Sequence, residues 1–316
     1  MTLHELLNFP SLTTYTKFSW ILYMDINEII STRNLSRFHI GLSGCRTSDY
    51  FFETCPFDII VFDEKKDNPE IVKLKDNFII INHASFSESN SDKLLSYKDL
   101  KIIQDPSWDL QTFISKIKQK QDSLYNDSAK NHLIESLFCC QKTRHAISNS
   151  DPFASCWLKC ASYHLFDALL SLNRQKLGPS HMLDNIRKFP KNSINEHLQI
   201  ATETIGIERA TPTLLNRMVK STMGFSDIVE KNNHSSIILS KHNSFVRNSK
   251  LSDCYFYLGY VNRINFERIK NSIAQRPDLF HILKIAFDIE IDSELLNKVD
   301  LIQEVTNHIL ESISKS

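Results

Sequence analysis

The chain has 316 residues and a mass of 36.6 kDa, more than one compact core usually organises, so two domains are expected. Lys plus Arg and Asp plus Glu both number 37, so no global field recruits nucleic acid or an anionic membrane, and neither is predicted as a partner. Seven cysteines without a CxxC spacing, and the lack of a leader or of a long apolar run, predict a cytoplasmic protein without a membrane span.

The first hundred residues combine one helical pattern with short strand patterns. Residues 17–34 carry apolar side chains at roughly helical spacing. Three apolar runs then predict strands at Phe38–Ile40, Asp58–Asp63 and Phe78–Ile81, with a polar turn over Glu64–Glu70 between the last two. No strand is predicted beyond residue 83.

From Ser107 onward the apolar residues recur at helical spacing between Pro, Asn and Asp signals. One interval, Asn232–Asn248, is polar enough that we predict a loop there. The sequence therefore predicts an α+β protein in which a small mixed-sheet domain, residues 1–105, is followed by an all-α helical domain, residues 106–316.

Glycine is scarce and clustered. Two of the six glycines, Gly41 and Gly44, follow directly on the first strand, where a turn with positive φ or a close backbone approach to a ligand would need them. The second strand then carries a carboxylate, Asp58, inside its apolar run. This order of strand, Gly/Ser turn and acidic strand is how a corner that handles phosphate and metal is built.

The corner resembles the core of the polymerase-β-type nucleotidyltransferase fold, particularly its small versions that carry a helical domain, such as the aminoglycoside and the minimal nucleotidyltransferases. In that family a Gly-Ser pair at a helix start binds a triphosphate through backbone amides. The resemblance implies that Ser43 and Gly44, with Arg46 close by, bind a nucleoside triphosphate, and that Asp58 is the catalytic residue and a Mg²⁺ ligand. The reaction would be transfer of a nucleotidyl group to a hydroxyl acceptor.

The chain departs from the family pattern at the metal ligands. The family carries Asp-x-Asp on this strand, whose alternation puts both carboxylates on one face, whereas the second position here is Ile60. Asp63 should point to the opposite face of the strand. The third strand contains no carboxylate, and Asp76 and His83 only flank it. These departures leave an alternative open, in which the chain is a catalytically degenerate binding or regulatory module that meets a protein partner through its helical domain.

Other motifs allow further hypotheses. Gly41 to Cys45 approaches the Gly-x-Ser-x-Gly elbow of α/β-hydrolases, but the predicted strands end too early for that fold. The interval from Arg174 to His181 has the spacing of the Arg-x(4–6)-His pair of helical ribonucleases that accompany minimal nucleotidyltransferases, although Gly178-Pro179 interrupts it. Such a pair would stabilise a phosphate and act as acid or base.

Two predicted helical stretches carry residues that either bind a ligand or pack in the core. Cys156, Cys160, His164 and Asp167 share one predicted helical face, where Cys160 and His164 could chelate one ion; core packing is the preferred explanation for the cysteines. The aromatic stretch Tyr255–Tyr260 could stack on a ring-bearing ligand, but we favour a buried helix contact in which Gly259 permits close approach.

Overall fold

The computed structural model describes residues 26–48, 51–65, 67–75, 77–230, 232–289 and 294–314. Helical residues 26–32, here α1, precede the first strand. The strands are β1 (His39–Ser43), β2 (Phe57–Phe62), β3 (Glu70–Leu74), β4 (Asn77–Ala84) and β5 (Lys101–Gln104). The remaining helices are α2 (Ser91–Tyr97), α3 (Asp109–Gln119), α4 (Gln121–Ser148), α5 (Ala154–Leu172), α6 (Pro179–Ile186), α7 (Leu198–Ile205), α8 (Pro212–Val229), α9 (His234–Arg247), α10 (Leu251–Arg268), α11 (Phe280–Ala286) and α12 (Leu295–Ser314).

The strands form one mixed sheet in the order β3-β4-β2-β1-β5. β2 runs parallel to β4, and the other neighbours pair antiparallel. Because side chains alternate across a strand, β2 sends Ile59 and Val61 into the core under α1, and Ile60 and Phe62 into a second core under α2 and α3. Asp58 therefore shares its face with Ile60, toward the second core.

The predicted α+β class with a small mixed sheet ahead of helices is confirmed. All three predicted strands are present, and the helix predicted over 17–34 is described only from residue 26. The prediction that strands end near residue 83 was wrong, because β5 pairs with β1 as a short edge strand. β3 was missed because it is a short, partly exposed edge strand in which Glu70 and Lys73 interrupt the apolar residues.

The helical part is built around α5, in which nearly every side chain is buried. α10 packs against it, and its aromatic residues Tyr255, Phe256, Tyr257 and Tyr260 lie in the core. Close approach occurs at Gly259, where a Cβ would lie 2.0 Å from the hydroxyl of Tyr163. The aromatic stretch therefore forms the buried helix contact that we favoured from the sequence, with Gly259 at the point of close approach.

Two predictions about boundaries have different outcomes. The loop predicted over Asn232–Asn248 was wrong: α9 occupies it and buries Ile237, Ile238 and Phe245 against the core. The division at 105/106 stays a prediction, and the packing shows that α3, just beyond it, buries Leu110 and Ile114 against the sheet. Within the described residues, no helix is both long and apolar enough to cross a bilayer.

Candidate functional site

The Gly/Ser corner, formed by Ser43 and Gly44, lies against the acidic residue of β2, Asp58. Ser43, the last residue of β1, is the register partner of Asp58 on β2. Gly44 follows with a φ of 77°, and a Cβ placed there would lie 2.1 Å from Oδ2 of Asp58. The carboxylate thus occupies the space that any side chain at position 44 would need. Both this close approach and the positive φ explain why the residue is glycine.

The corner opens into a large cleft. Its volume is about 1060 Å³, and its walls come both from the sheet, through Ser43, Gly44 and Asp58, and from the helical part, through His181 and Lys241. A cleft of this size accommodates a nucleotide-sized ligand. The acid at 58 and the bend at 43–44 both line this one space.

The bend does not open a long helix within the described residues. A single 3₁₀ turn, Cys45–Thr47, follows Gly44, so little macrodipole is available to an anion here. The hydroxyl of Ser43 donates to the carbonyl of Ser96 at 3.2 Å. The bend therefore offers an anion few free backbone donors, and the cations that line the cleft come from side chains.

Burial sets the protonation of Asp58. Desolvation raises the pKa of its carboxyl from 3.8 to about 7, partly offset by the ammonium of Lys241 and increased by Cys55. A cation bound beside this carboxyl would oppose the shift, because a neighbouring positive charge favours the ionised form.

The residues around Asp58 do not fit a two-metal centre. Ile60 takes the place of the second carboxylate and is buried, and its parallel neighbour on β4 is the amide Asn82. Asp63 is bonded to His83, with Nδ1 of the imidazole 2.9 Å from Oδ2 of the carboxylate. Among the described residues no group of three potential metal ligands includes Asp58; Asp76 lies outside them.

Cations outnumber acids along the cleft. Its described lining includes five Lys or Arg residues and three Asp residues. Four of these cations are ion-paired: Lys93 with Glu88, Lys98 with Asp99, Arg174 with Asp122 and Lys176 with Asp92. The five cations are Lys93, Lys98, Arg174, Lys176 and Lys241.

Lys241 differs from these four ion-paired cations. Its side chain is buried, its ammonium donates to the hydroxyl of Ser180, and it acts electrostatically on Asp58 and Cys55. It projects from α9 into the cleft opposite the Gly/Ser corner. A buried ammonium that meets a neutral hydroxyl is well placed to receive a phosphate oxygen, because little water screens the interaction.

Arg46 has a different environment from the one the resemblance implies. Its guanidinium donates to the carbonyl of Cys55 at 2.8 Å and to that of Glu53 at 2.6 Å, and it lies over the ring of Phe57 at 4.3 Å. These contacts fix the segment between the 3₁₀ turn and β2. Its contact with phosphate stays a prediction.

The remaining motifs divide between the cleft and the core. Arg174 and His181 both line the cleft, on either side of the turn that separates α5 from α6. Cys156 and Cys160 are fully buried among apolar side chains, as the packing explanation predicts. His164 instead meets Arg263, whose guanidinium nitrogen lies 3.1 Å from its Nδ1.

Sequence reasoning missed Lys241 because α9 was predicted as a loop. The available signal was the spacing of Ile237, Lys241 and Phe245 at i, i+4 and i+8, which places all three on one helical face. All three are buried in the structure. A lysine on an apolar helical face is a candidate for a functional cation, since such residues are seldom buried without a partner.

No protein-family model matches the chain, and no curated protein matches it. Among solved structures, the fold is similar to that of a nucleotidyltransferase-like protein from Exiguobacterium sibiricum 255-15. The two are 11% identical, the alignment covers 82% of this chain and 91% of that one, and the TM-score is 0.37. This is a coarse likeness of fold, so the function is argued from the residues of this chain.

Proposed function

We propose that the cleft binds the polyphosphate of a nucleoside triphosphate and that the chain works as a nucleotide-binding regulatory module without two-metal transfer. The observation that carries this proposal is the pairing across the cleft: the corner of Gly44 and Asp58 on one wall, and the buried ammonium of Lys241 on the other. Low-dielectric walls strengthen the attraction between such an ammonium and an anion. The other four cations of the lining are ion-paired with acids, so they would reach an outer phosphate by exchanging those partners.

The metal ligands support binding over catalysis. Nucleotidyl transfer depends on metal charge at the reacting phosphate, and here Ile60 stands where a second carboxylate would be. Among the described residues, no group of three potential metal ligands includes the remaining acid, Asp58. Any Mg²⁺ would therefore arrive bound to the triphosphate, and the chain itself would contribute Lys241 and the corner.

Calorimetry and an assay for pyrophosphate release test the proposal together. The full chain is titrated with each of the four nucleoside triphosphates, with and without Mg²⁺. We expect a triphosphate to bind more tightly than its monophosphate, and Lys241→Met to weaken binding at least tenfold. Lys220→Met, an exposed lysine on α8, is the matched control and should bind as the parent does.

The assay separates the two hypotheses. No pyrophosphate above background is expected with hydroxyl acceptors present. Release that disappears in Asp58→Asn would instead establish the chain as a nucleotidyltransferase. Absence of binding for every triphosphate would contradict both hypotheses.

A further inference from the structure

Two clusters of potential metal ligands occur in the described residues. One is His132, His164 and Asp167 in the helical part, and the other is Cys45, Cys55 and His181 beside the cleft. The first is already occupied by a cation, because the guanidinium of Arg263 lies 2.9 Å from Asp167 and 3.1 Å from His164. A divalent ion would be repelled there, so only the second cluster is a candidate.

The second cluster brings distant segments together. Cys45 lies in the 3₁₀ turn after Gly44, Cys55 lies just before β2, and His181 lies in α6. The Sγ of Cys55 is 3.2 Å from Nε2 of His181, and the ligand atoms of all three residues lie within 4.8 Å of one another. Ligand atoms in a tetrahedral zinc site are roughly 3.5 to 3.8 Å apart, given Zn–S and Zn–N bonds of about 2.3 and 2.0 Å. Little movement is needed to receive an ion.

The surroundings hold these side chains in place. The amide of Phe52 donates to Sγ of Cys55 at 3.4 Å, and the ring of Phe52 lies against the imidazole of His181 with centroids 4.3 Å apart. These contacts hold the ligand atoms of Cys55 and His181 side by side before any ion is bound.

We propose that Cys45, Cys55 and His181 bind one Zn²⁺ whose fourth position opens into the cleft. Two thiolates and one imidazole are ligands that Zn²⁺ prefers, and three protein ligands leave one position for water or an anion. Cys45 and His181 both line the cleft, so that position faces the space beside Gly44. Binding releases the protons that the two thiols still carry, and the bound site is neutral, which limits repulsion from Lys241.

Cobalt is the probe, because tetrahedral thiolate-bound Co²⁺ absorbs where Zn²⁺ does not. The full chain, reduced and freed of metal, is titrated with Co²⁺ in the absence of nucleotide. We expect thiolate-to-cobalt absorption that saturates at one equivalent and disappears when Zn²⁺ is added. We also expect Zn²⁺ to raise the melting temperature, since a ligand of the folded state stabilises it.

Variants decide whether these residues are the ligands. Cys55→Ser and His181→Gln should each weaken Co²⁺ binding at least tenfold and remove the thermal shift with Zn²⁺. Cys254→Ala, which removes a buried cysteine from α10, is the matched control and should keep both. Circular dichroism establishes that each variant is folded. A reduced parent chain without the absorption, or absorption that persists in both ligand variants, would overturn the proposal whether or not nucleotide binds.

Discussion

Gly44 and Asp58 exclude any side chain between them, because a Cβ on the glycine would lie 2.1 Å from the carboxylate oxygen. The glycine also has a φ of 77°, which L residues adopt at a cost. Asp58 pairs in register with Ser43, the residue before Gly44, so neither residue can move away without disturbing the sheet.

Gly44→Ala should therefore lower the free energy of unfolding by about 1 to 3 kcal/mol and weaken triphosphate binding. Urea denaturation measures the first effect and calorimetry the second. Gly224→Ala on α8 is the matched control, because a Cβ there meets nothing within 4 Å; it should leave stability unchanged or raise it by up to about 1 kcal/mol. Equal stability for the two variants would contradict the close contact at Gly44.

The raised pKa of Asp58 predicts a pH-dependent stability. Burial holds this pKa at about 7, against 3.8 ordinarily, so between those values the folded chain keeps a proton that the unfolded chain has released. The contribution of Asp58 to the free energy of unfolding then falls as pH rises. Asp58→Asn should gain in melting temperature over the parent chain between about pH 4 and pH 8. Asp127→Asn, at an exposed position on α4, should show no such gain; a flat difference for Asp58→Asn would contradict the buried acid.

Lys241 should influence Asp58 directly. Its ammonium lowers the pKa of that carboxyl, so Lys241→Met should raise it further, whereas Lys241→Arg should largely preserve it. Carbon-detected NMR titration of labelled aspartate carboxyls measures the change. An unchanged titration in Lys241→Met would mean that the two charges do not interact across the cleft.

Gly259→Ala tests the contact between the two central helices. A Cβ there would lie 2.0 Å from the hydroxyl oxygen of Tyr163, which lies within hydrogen-bonding distance of the carbonyl of Phe256 at 3.3 Å. The buried ring has little room to move, and overpacking costs about 1 to 3 kcal/mol. The urea midpoint should fall accordingly. The double variant Gly259→Ala with Tyr163→Phe should recover part of the loss, and a further loss would show that the hydroxyl is not the obstacle.

Local sequence patterns were sufficient to predict the strands and the glycine turn of the Gly/Ser corner. The apolar runs that contain Ile40 and Ile59 predicted β1 and β2, and the scarcity of glycine pointed to Gly44. The edge strands β3 and β5 carry less signal, because short, partly exposed strands alternate weakly between apolar and polar residues. Asn- and Ser-rich composition concealed α9, whose helical face is defined by only a few apolar positions.

The spacing of residues along the sequence could not predict which helices form the other wall of the cleft. His181 contacts Cys55, a residue 126 positions earlier in the chain, and no local periodicity encodes such a contact. The motif containing His181 was noted for its distance from Arg174. Its actual neighbours are set by how α6 docks against the segment before β2.

The Gly/Ser corner and the helices α6 and α9, which face the same cleft, lie in different halves of the polypeptide. A cut in the short connection between α4 and α5 would leave the Gly/Ser corner on one fragment, and α6 and α9 on the other. Neither fragment would surround an anion with both sets of groups. The intact peptide chain keeps the two halves at the high effective concentration that a shared site needs. Tight binding of an anion that contacts both walls would therefore require the connection between α4 and α5 to be uncut.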